Sequence, residues 1–171
     1  MRKKPKLYMA YGSNLNLYQM AYRCPTAQVA GKAVLKDYEL LFRGGRRGAV
    51  ATIEPREGSS VPVLLWKIRE ADEAALDLYE GYPRLYEKQR LQVEMEGKKV
   101  SAFAYTMTPG HVLGIPSNAY VNVIREGYEA AGFDRKVLDD AIDCAFEFAG
   151  QLERPEETEH VPEMGGWETL K

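Results

Sequence analysis

The sequence predicts an α+β fold in which a mixed, curled sheet is closed by helices. Three observations carry this: strand-like text dominates from Lys6 to Met107, one helical segment with a clear end interrupts it, and helical periodicity returns only in the last third. With 171 residues and 45% hydrophobic content, the chain is long enough to bury a core of its own.

Lys6 to Tyr11 reads as the first strand. Leu15 to Arg23 reads as a short helix that Pro25 cuts off, with the turn Gly12-Ser13-Asn14 between them. Ala27 to Phe42 is rich in β-branched and aromatic residues without helical period. The loop "GGRRG" and a further strand, "AVATIEP", come next. "VPVLLWKI" reads as a separate buried strand. The helix "READEAALDLYEG" follows, with Ala71, Ala75 and Leu78 at helical spacing and Gly81 as its C-terminal cap. The text from Leu85 to Met107 holds two alternating runs joined by "EGKK", the pattern of a β-hairpin. Ser117 caps a helix whose Tyr120, Ile124 and Tyr128 share a face, and Asp134 caps another through Phe148 that Gly150 ends. The reading divides the chain into a domain over 1–150 and an acidic, proline-containing tail over 151–171, attached at most through Trp167.

Composition excludes several functions. The formal net charge is −2 and the basic residues are scattered, so no nucleic-acid footprint is expected. No apolar run approaches the ~18 residues of a membrane span, and the N-terminal apolar stretch is too short for a signal sequence, so the expected compartment is the cytoplasm. Cys24 and Cys144 are read as two buried, reduced thiols, since two distant cysteines make neither a disulfide framework nor a clustered zinc site.

"YGSNL" after the first strand, "MAYRCPTA", "LDLYEGYP" at a helix end, an aromatic "AYTM" strand and "PSNAYVNVIREGYEAAG" occur in that order. Over about residues 6 to 150 this text resembles the γ-glutamylcyclotransferase family, including its AIG2-like and butirosin-biosynthesis relatives. The resemblance implies a small mixed β-barrel or strongly curled sheet flanked by helices. It also implies an amine-lyase-type reaction that releases 5-oxoproline from a small-molecule γ-glutamyl substrate with no metal and no organic cofactor. Members act on γ-glutamyl amino acids, glutathione, γ-glutamyl amines or γ-glutamyl protecting groups.

The chemistry of such a cyclisation makes simple demands. The α-amine of the substrate is the nucleophile, so the protein needs to supply a folded-back substrate pose, a proton acceptor, a proton donor and an oxyanion site. Glu80 matches the glutamate of the family's helix-end motif, and the negative end of the helix dipole with an apolar surround of Trp66, Tyr79 and Tyr82 would raise its pKa toward neutrality. Asp77 is the reserve candidate, while Asp72, Glu73 and Asp77 otherwise read as the solvated face of the helix. In the opening turn, Gly12 offers backbone freedom, Ser13 and Asn14 can cap the following helix, and successive N–H groups suit a carboxylate or oxyanion. By resemblance, Tyr11, Gly12, Ser13, Asn14 and Leu15 line the γ-glutamyl pocket, and Tyr105 and Tyr120 occupy positions of pocket-lining tyrosines. Arg43 and Arg46 are candidates for touching a carboxylate on the leaving group, and Ser117 reads as a cap rather than a reactive group. Two other readings stay open: a protein that binds the γ-glutamyl group without turnover, and a hydrolase using Cys24 with His111 brought near by the fold.

Overall fold

The computed structural model describes residues 3–153, without the side chains of 150–153; of the acidic segment, 154–171, with His160 and Trp167, lies outside the described residues. Five strands close into a barrel in the order β1-β3-β2-β4-β5. They are β1 (Lys6–Ala10), β2 (Gln28–Arg43), β3 (Val50–Ile68), β4 (Tyr86–Met95) and β5 (Lys98–Met107). The helices are α1 (Leu17–Arg23), α2 (Glu70–Glu80), α3 (Asn118–Ala131) and α4 (Lys136–Glu153), with a 3₁₀ turn at Ser13–Leu15. Neighbouring strands run antiparallel except at the closure, where β1 meets β5 in parallel at Tyr8 and Phe103. There the rings of Tyr8, Phe103 and Tyr105 lie with centroids 5.5 to 5.8 Å apart, a tilted and edge-on cluster that fills the seam.

The "AVATIEP" and "VPVLLWKI" runs, expected as separate strands, form one strand. β3 pairs with β2 along both, and the register slips where Asp37 accepts a hydrogen bond from the Gly58 N–H at 3.0 Å. Asp37 and Gly58 both have positive φ there, so the ladder bends across polar residues without ending. The β4–β5 hairpin turns at Glu96 and Gly97, both left-handed, as a two-residue loop of this kind requires. Helix α4 runs through Gly150 to Glu153, past its expected end.

Helix α2 buries a different face from the expected one. Ala71 is exposed and Leu78 is 85% exposed, while Leu76 and Asp72 are buried. Asp72 is inside because its carboxylate accepts from the Arg69 N–H at 2.9 Å and the Thr26 hydroxyl at 2.6 Å, which caps the helix and replaces lost water. At the other end Gly81 adopts φ 64°, and the N–H of Tyr82 bonds the Asp77 carbonyl at 2.9 Å in a Schellman-type stop. The chain therefore turns away directly after Glu80.

Helix α3 is pressed onto the turn after β1 at Gly127, where a Cβ would stand 2.6 Å from that of Leu15. Ser117 caps this helix by accepting from the Tyr120 N–H at 3.2 Å, and Tyr120, Ile124 and Tyr128 turn inward together, with Ile124 and Tyr128 fully buried. None of the helices among the described residues is long and apolar enough to cross a membrane.

Adding a methyl group at Gly127 forces α3 away from the turn. The Gly127→Ala variant is expected to lose about 1–3 kcal/mol, read as a thermal midpoint several degrees lower by calorimetry. An unchanged midpoint would show that this contact has slack.

Candidate active site

A cavity of about 180 Å³ opens where the turn after β1, the end of α2 and the barrel strands converge. Tyr8, Tyr11, Gly12, Ser13, Asn14, Ala51, Tyr79, Glu80, Tyr86, Tyr105 and Tyr120 contribute to its wall. Six tyrosines surround the one carboxyl group of this wall.

The turn is built so that its polar side chains face this cavity. Asn16, not Ser13 or Asn14, caps α1, accepting from the N–H groups of Tyr18 and Gln19 at 3.0 and 3.1 Å. Its amide also donates to the Val123 carbonyl and Glu126 at 3.0 and 2.9 Å, which ties the turn to α3. Ser13 and Asn14 are thereby released from capping. Gly12 has φ −126°, outside the left-handed region, and sits in tight space: a Cβ there would lie 3.2 Å from that of Ala51 and 3.6 Å from the Tyr120 hydroxyl. Leu15 and Asn16 N–H groups close the turn on Gly12 and Ser13 carbonyls, and the N–H groups before them have no acceptor inside it by position. Leu15, expected in the pocket, is buried behind it against α3.

Glu80 reaches the cavity from the last residue of α2. Its Oε1 lies 3.4 Å from Asn14 Nδ2, which also donates to the Tyr8 hydroxyl at 2.9 Å. Burial pushes the Glu80 carboxyl up to about 7 from its ordinary value near 4.5, and the Arg23 guanidinium opposes the rise. The apolar part of its surround differs from the expected one, since Trp66 and Tyr82 do not line the cavity. Trp66 sits at the β1–β3 ladder opposite Tyr8, and Tyr82 stacks against Lys88, whose ammonium is 4.3 Å from the ring centre.

The tyrosines divide into two kinds. Tyr120 accepts from the Ala51 N–H at 3.0 Å and Tyr86 donates to the Ala51 carbonyl at 2.5 Å, so two phenols complete the β3 edge where no strand covers it. Tyr105 presents its ring and main chain, since its hydroxyl donates to Asp77 at 2.5 Å. Burial, followed by Asp77, raises that phenol well above the usual range. Asp77 in turn meets Lys88 at 2.9 Å, and Lys88 also bonds Glu73 at 3.1 Å, so the supposed solvated face is a half-buried ion-pair network. Asp77 does not line the cavity.

The other candidates lie elsewhere. Arg43 is held by Glu54 at 2.5 Å and by the His111 carbonyl at 3.0 Å, and neither Arg43 nor Arg46 lines the cavity. Cys24 is 1% exposed, its thiol points at the Asp72 carbonyl and burial pushes it up to about 11, while His111 bonds Thr108; the thiol is neither ionised nor paired with a histidine. The cysteine-hydrolase reading is thereby overturned. Cys144, expected to be buried, is half-buried. Among the described residues no three His, Cys, Asp or Glu side chains are grouped to hold a metal ion.

Sequence reasoning missed Tyr8, Tyr86, Ala51 and Arg23. Each sits on a different element, and no local pattern marks it as facing Glu80; only the barrel brings them together.

Residues 8–122 match the family model described as "Gamma-glutamyl cyclotransferase, AIG2-like". The chain belongs to that family. It is 32% identical over 135 residues to the gamma-glutamylcyclotransferase of Bos taurus and 31% to that of Homo sapiens, covering 74% of this chain and 71% of each relative. A solved structure titled "Gamma-glutamyl cyclotransferase" superposes with a TM-score of 0.73 at 27% identity, covering 81% of this chain and 86% of that one.

The raised Glu80 pKa has a stability consequence. Between about 4.5 and 7 the folded chain holds a proton that the unfolded chain has released, so the contribution is complete below 4.5 and is lost as pH rises through 7. Glu80→Gln is therefore expected to be more stable than wild type at pH 8, on the order of 2 kcal/mol, with the difference closing toward pH 4.5; denaturant melts across this range check it.

Proposed function

We propose that this cyclotransferase-type enzyme closes a small γ-glutamyl amide onto itself, releasing 5-oxoproline and a free amine, with Glu80 as its proton shuttle. The observation that carries the reading is the position of Glu80: a carboxyl with a pKa near 7, inside a small tyrosine-lined cavity, beside a turn with N–H groups to offer. The substrate's α-amino nitrogen attacks the γ-carbonyl carbon, and Glu80 takes the proton that nitrogen sheds. The resulting oxyanion is held by N–H groups of residues 12–14. Collapse breaks the amide C–N bond as Glu80 returns the proton to the departing amine.

Magnitudes favour a carboxylate that titrates near 7. An ordinary glutamate would be too weak a base to take the proton that the α-amine sheds, whereas a group near the working pH is a stronger base and still acidic enough to return that proton to the departing amine. The cavity of about 180 Å³ is small against the ~300–1,000 Å³ of sites that enclose drug-sized ligands, so it suits the glutamyl part alone, with the leaving amine at the mouth. Tyr11 supports this pose: its hydroxyl donates to the Tyr105 carbonyl, which fixes the ring against the wall. The two cysteines are unpaired, in keeping with a reducing compartment such as the cytoplasm.

The test is 5-oxoproline release from γ-glutamyl amino acids, γ-glutamyl amines and glutathione. Wild type is expected to turn over one class, with kcat/KM rising through a midpoint near 7, the value set by Glu80. Glu80→Gln is expected to lose at least ~100-fold in kcat while still binding 5-oxoproline. Full activity in Glu80→Gln would remove it from the reaction. Binding without release by wild type would leave a protein that only holds the γ-glutamyl group. Cys24→Ser is expected to keep its turnover, because the thiol is buried away from the cavity.

A further inference from the structure

We propose that Arg23 is a positioning residue of this site, setting the orientation of the Asn14 amide and through it the hydrogen bonds to Glu80 and Tyr8. Arg23 is the last residue of α1 and does not line the cavity, so its effect must pass through what it touches. Three contacts define it. Nη1 donates to Asn14 Oδ1, Nη2 donates to Gln19 Oε1 at 2.9 Å, and the guanidinium carbon sits 3.3 Å from the centre of the Tyr79 ring.

The donor inventory makes the consequence one-way. A guanidinium has only donors, so only the oxygen of the Asn14 amide can face it as acceptor. A flipped Asn14 would set N–H against N–H. With Oδ1 committed, both Nδ2 hydrogens are left for the cavity, one toward the Tyr8 hydroxyl at 2.9 Å and one toward Glu80 Oε1 at 3.4 Å. Asn14 is 2% exposed, so water does not compete for these positions. Tyr8 thereby accepts through its oxygen and keeps its own proton to give, inside the cavity. Gln19, one helical turn before Arg23, occupies the other guanidinium nitrogen and limits its swing.

The same side chain holds the opposite wall. Tyr79, under the guanidinium, has its hydroxyl 3.0 Å from Ser13 Oγ. Arg23 thus bridges the turn after β1 and the last turn of α2, the two elements that must stay in register for Glu80 to face the N–H groups of the turn. The charged and titratable groups facing Glu80 are Tyr8 from β1, Tyr11 from the turn, Tyr79 from its own helix, Tyr86 from β4, Tyr105 from β5, Tyr120 from α3 and, behind Asn14, Arg23 from α1. Arg23 supplies the positive charge of this group.

This inference rests on Glu80 as the shuttle, and the experiment separates the two. Steady-state kinetics across pH 5 to 9 are measured for wild type, Glu80→Gln, Arg23→Met, Arg23→Lys, Asn14→Ala and the Arg23→Met/Asn14→Ala double variant. The readings are taken well below each protein's melting point. Arg23→Met is expected to lower kcat about tenfold or more with KM changed by less than about threefold, and to move the acid-limb midpoint up by about half a pH unit or more. Arg23→Lys is expected to recover the midpoint, because the charge is back, but not all of kcat, because the planar fork is not. Compared on its pH plateau, the double variant is expected to lose less kcat than the product of the two single losses. The part of Arg23's effect that passes through Asn14 has nothing to act on once the amide is gone, while its contact with Tyr79 and its charge remain to be lost. Losses that multiply, or an unmoved midpoint in Arg23→Met, would overturn the role of Arg23 while an inactive Glu80→Gln leaves the shuttle standing. Wild-type turnover in Glu80→Gln removes the shuttle and this inference with it. Should Arg23→Met fail to fold, the Arg23→Lys and Asn14→Ala pair, with a carbon-13 NMR titration of the Glu80 carboxyl, decides the same point.

Discussion

The parallel contact between β1 and β5, Tyr8 against Phe103, is the constraint on which the rest of the molecule depends. Without it the five strands are an open sheet with two bare edges; with it the barrel closes. The β1–β3 ladder sets the turn after β1 beside the end of α2, where Asn14 meets Glu80, and closure brings Tyr86 and Tyr105 of β4 and β5 to the same wall. Tyr8 serves both sides of this arrangement, its ring in the seam with Phe103 and Tyr105 and its hydroxyl at the cavity.

The cavity is also where the barrel leaves backbone uncovered. Ala51, on the stretch of β3 beyond β1, has its N–H and carbonyl satisfied by Tyr120 and Tyr86 instead of a neighbouring strand. A gap in the ladder thus becomes a binding wall without leaving orphaned polar groups. On the far side of α2, Lys88 binds Asp77 and Glu73, and Asp77 holds the Tyr105 hydroxyl. The half-buried ion pairs keep the helix seated on the barrel while Glu80, one turn on, is kept away from any direct cation.

This separation explains how one helix carries carboxyl groups of opposite character. Glu73 is held below the ordinary range by Lys6 and Lys88 despite its burial, while Glu80, with Arg23 acting at one remove, is dominated by burial and rises. The proposed shuttle therefore needs no special residue type. It needs a carboxylate placed where the chain leaves the helix, and Gly81 provides that exit with its left-handed backbone.

Local signals in the text were strong enough to place most elements: the alternation of β4 and β5 with a Glu-Gly turn, the Gly81 stop, the Ser117 cap and the Tyr120 face of α3 are all short-range patterns whose physics involves neighbours in sequence. Glu80 and the "YGSNL" turn stand out in the sequence through motifs that resemble the family's, since local physics alone equally allows a solvated glutamate and an ordinary strand-to-helix turn. Readings failed where the deciding partner was distant. Leu78 looked like a core residue and Asp72 like a solvated one, because helical spacing cannot show that Thr26 and the Arg69 N–H would satisfy a buried carboxylate. Arg43 is a candidate for the leaving group's carboxylate by sequence, but Glu54 already holds it; Tyr105 does line the cavity, yet its hydroxyl is taken by Asp77. Residue order and composition thus settle which segments become strands, helices and turns, since those preferences act over a few residues. Which side chains face Glu80, and how far its proton affinity rises, follow from barrel closure, because burial and convergent hydrogen bonds exist only once remote strands share one wall.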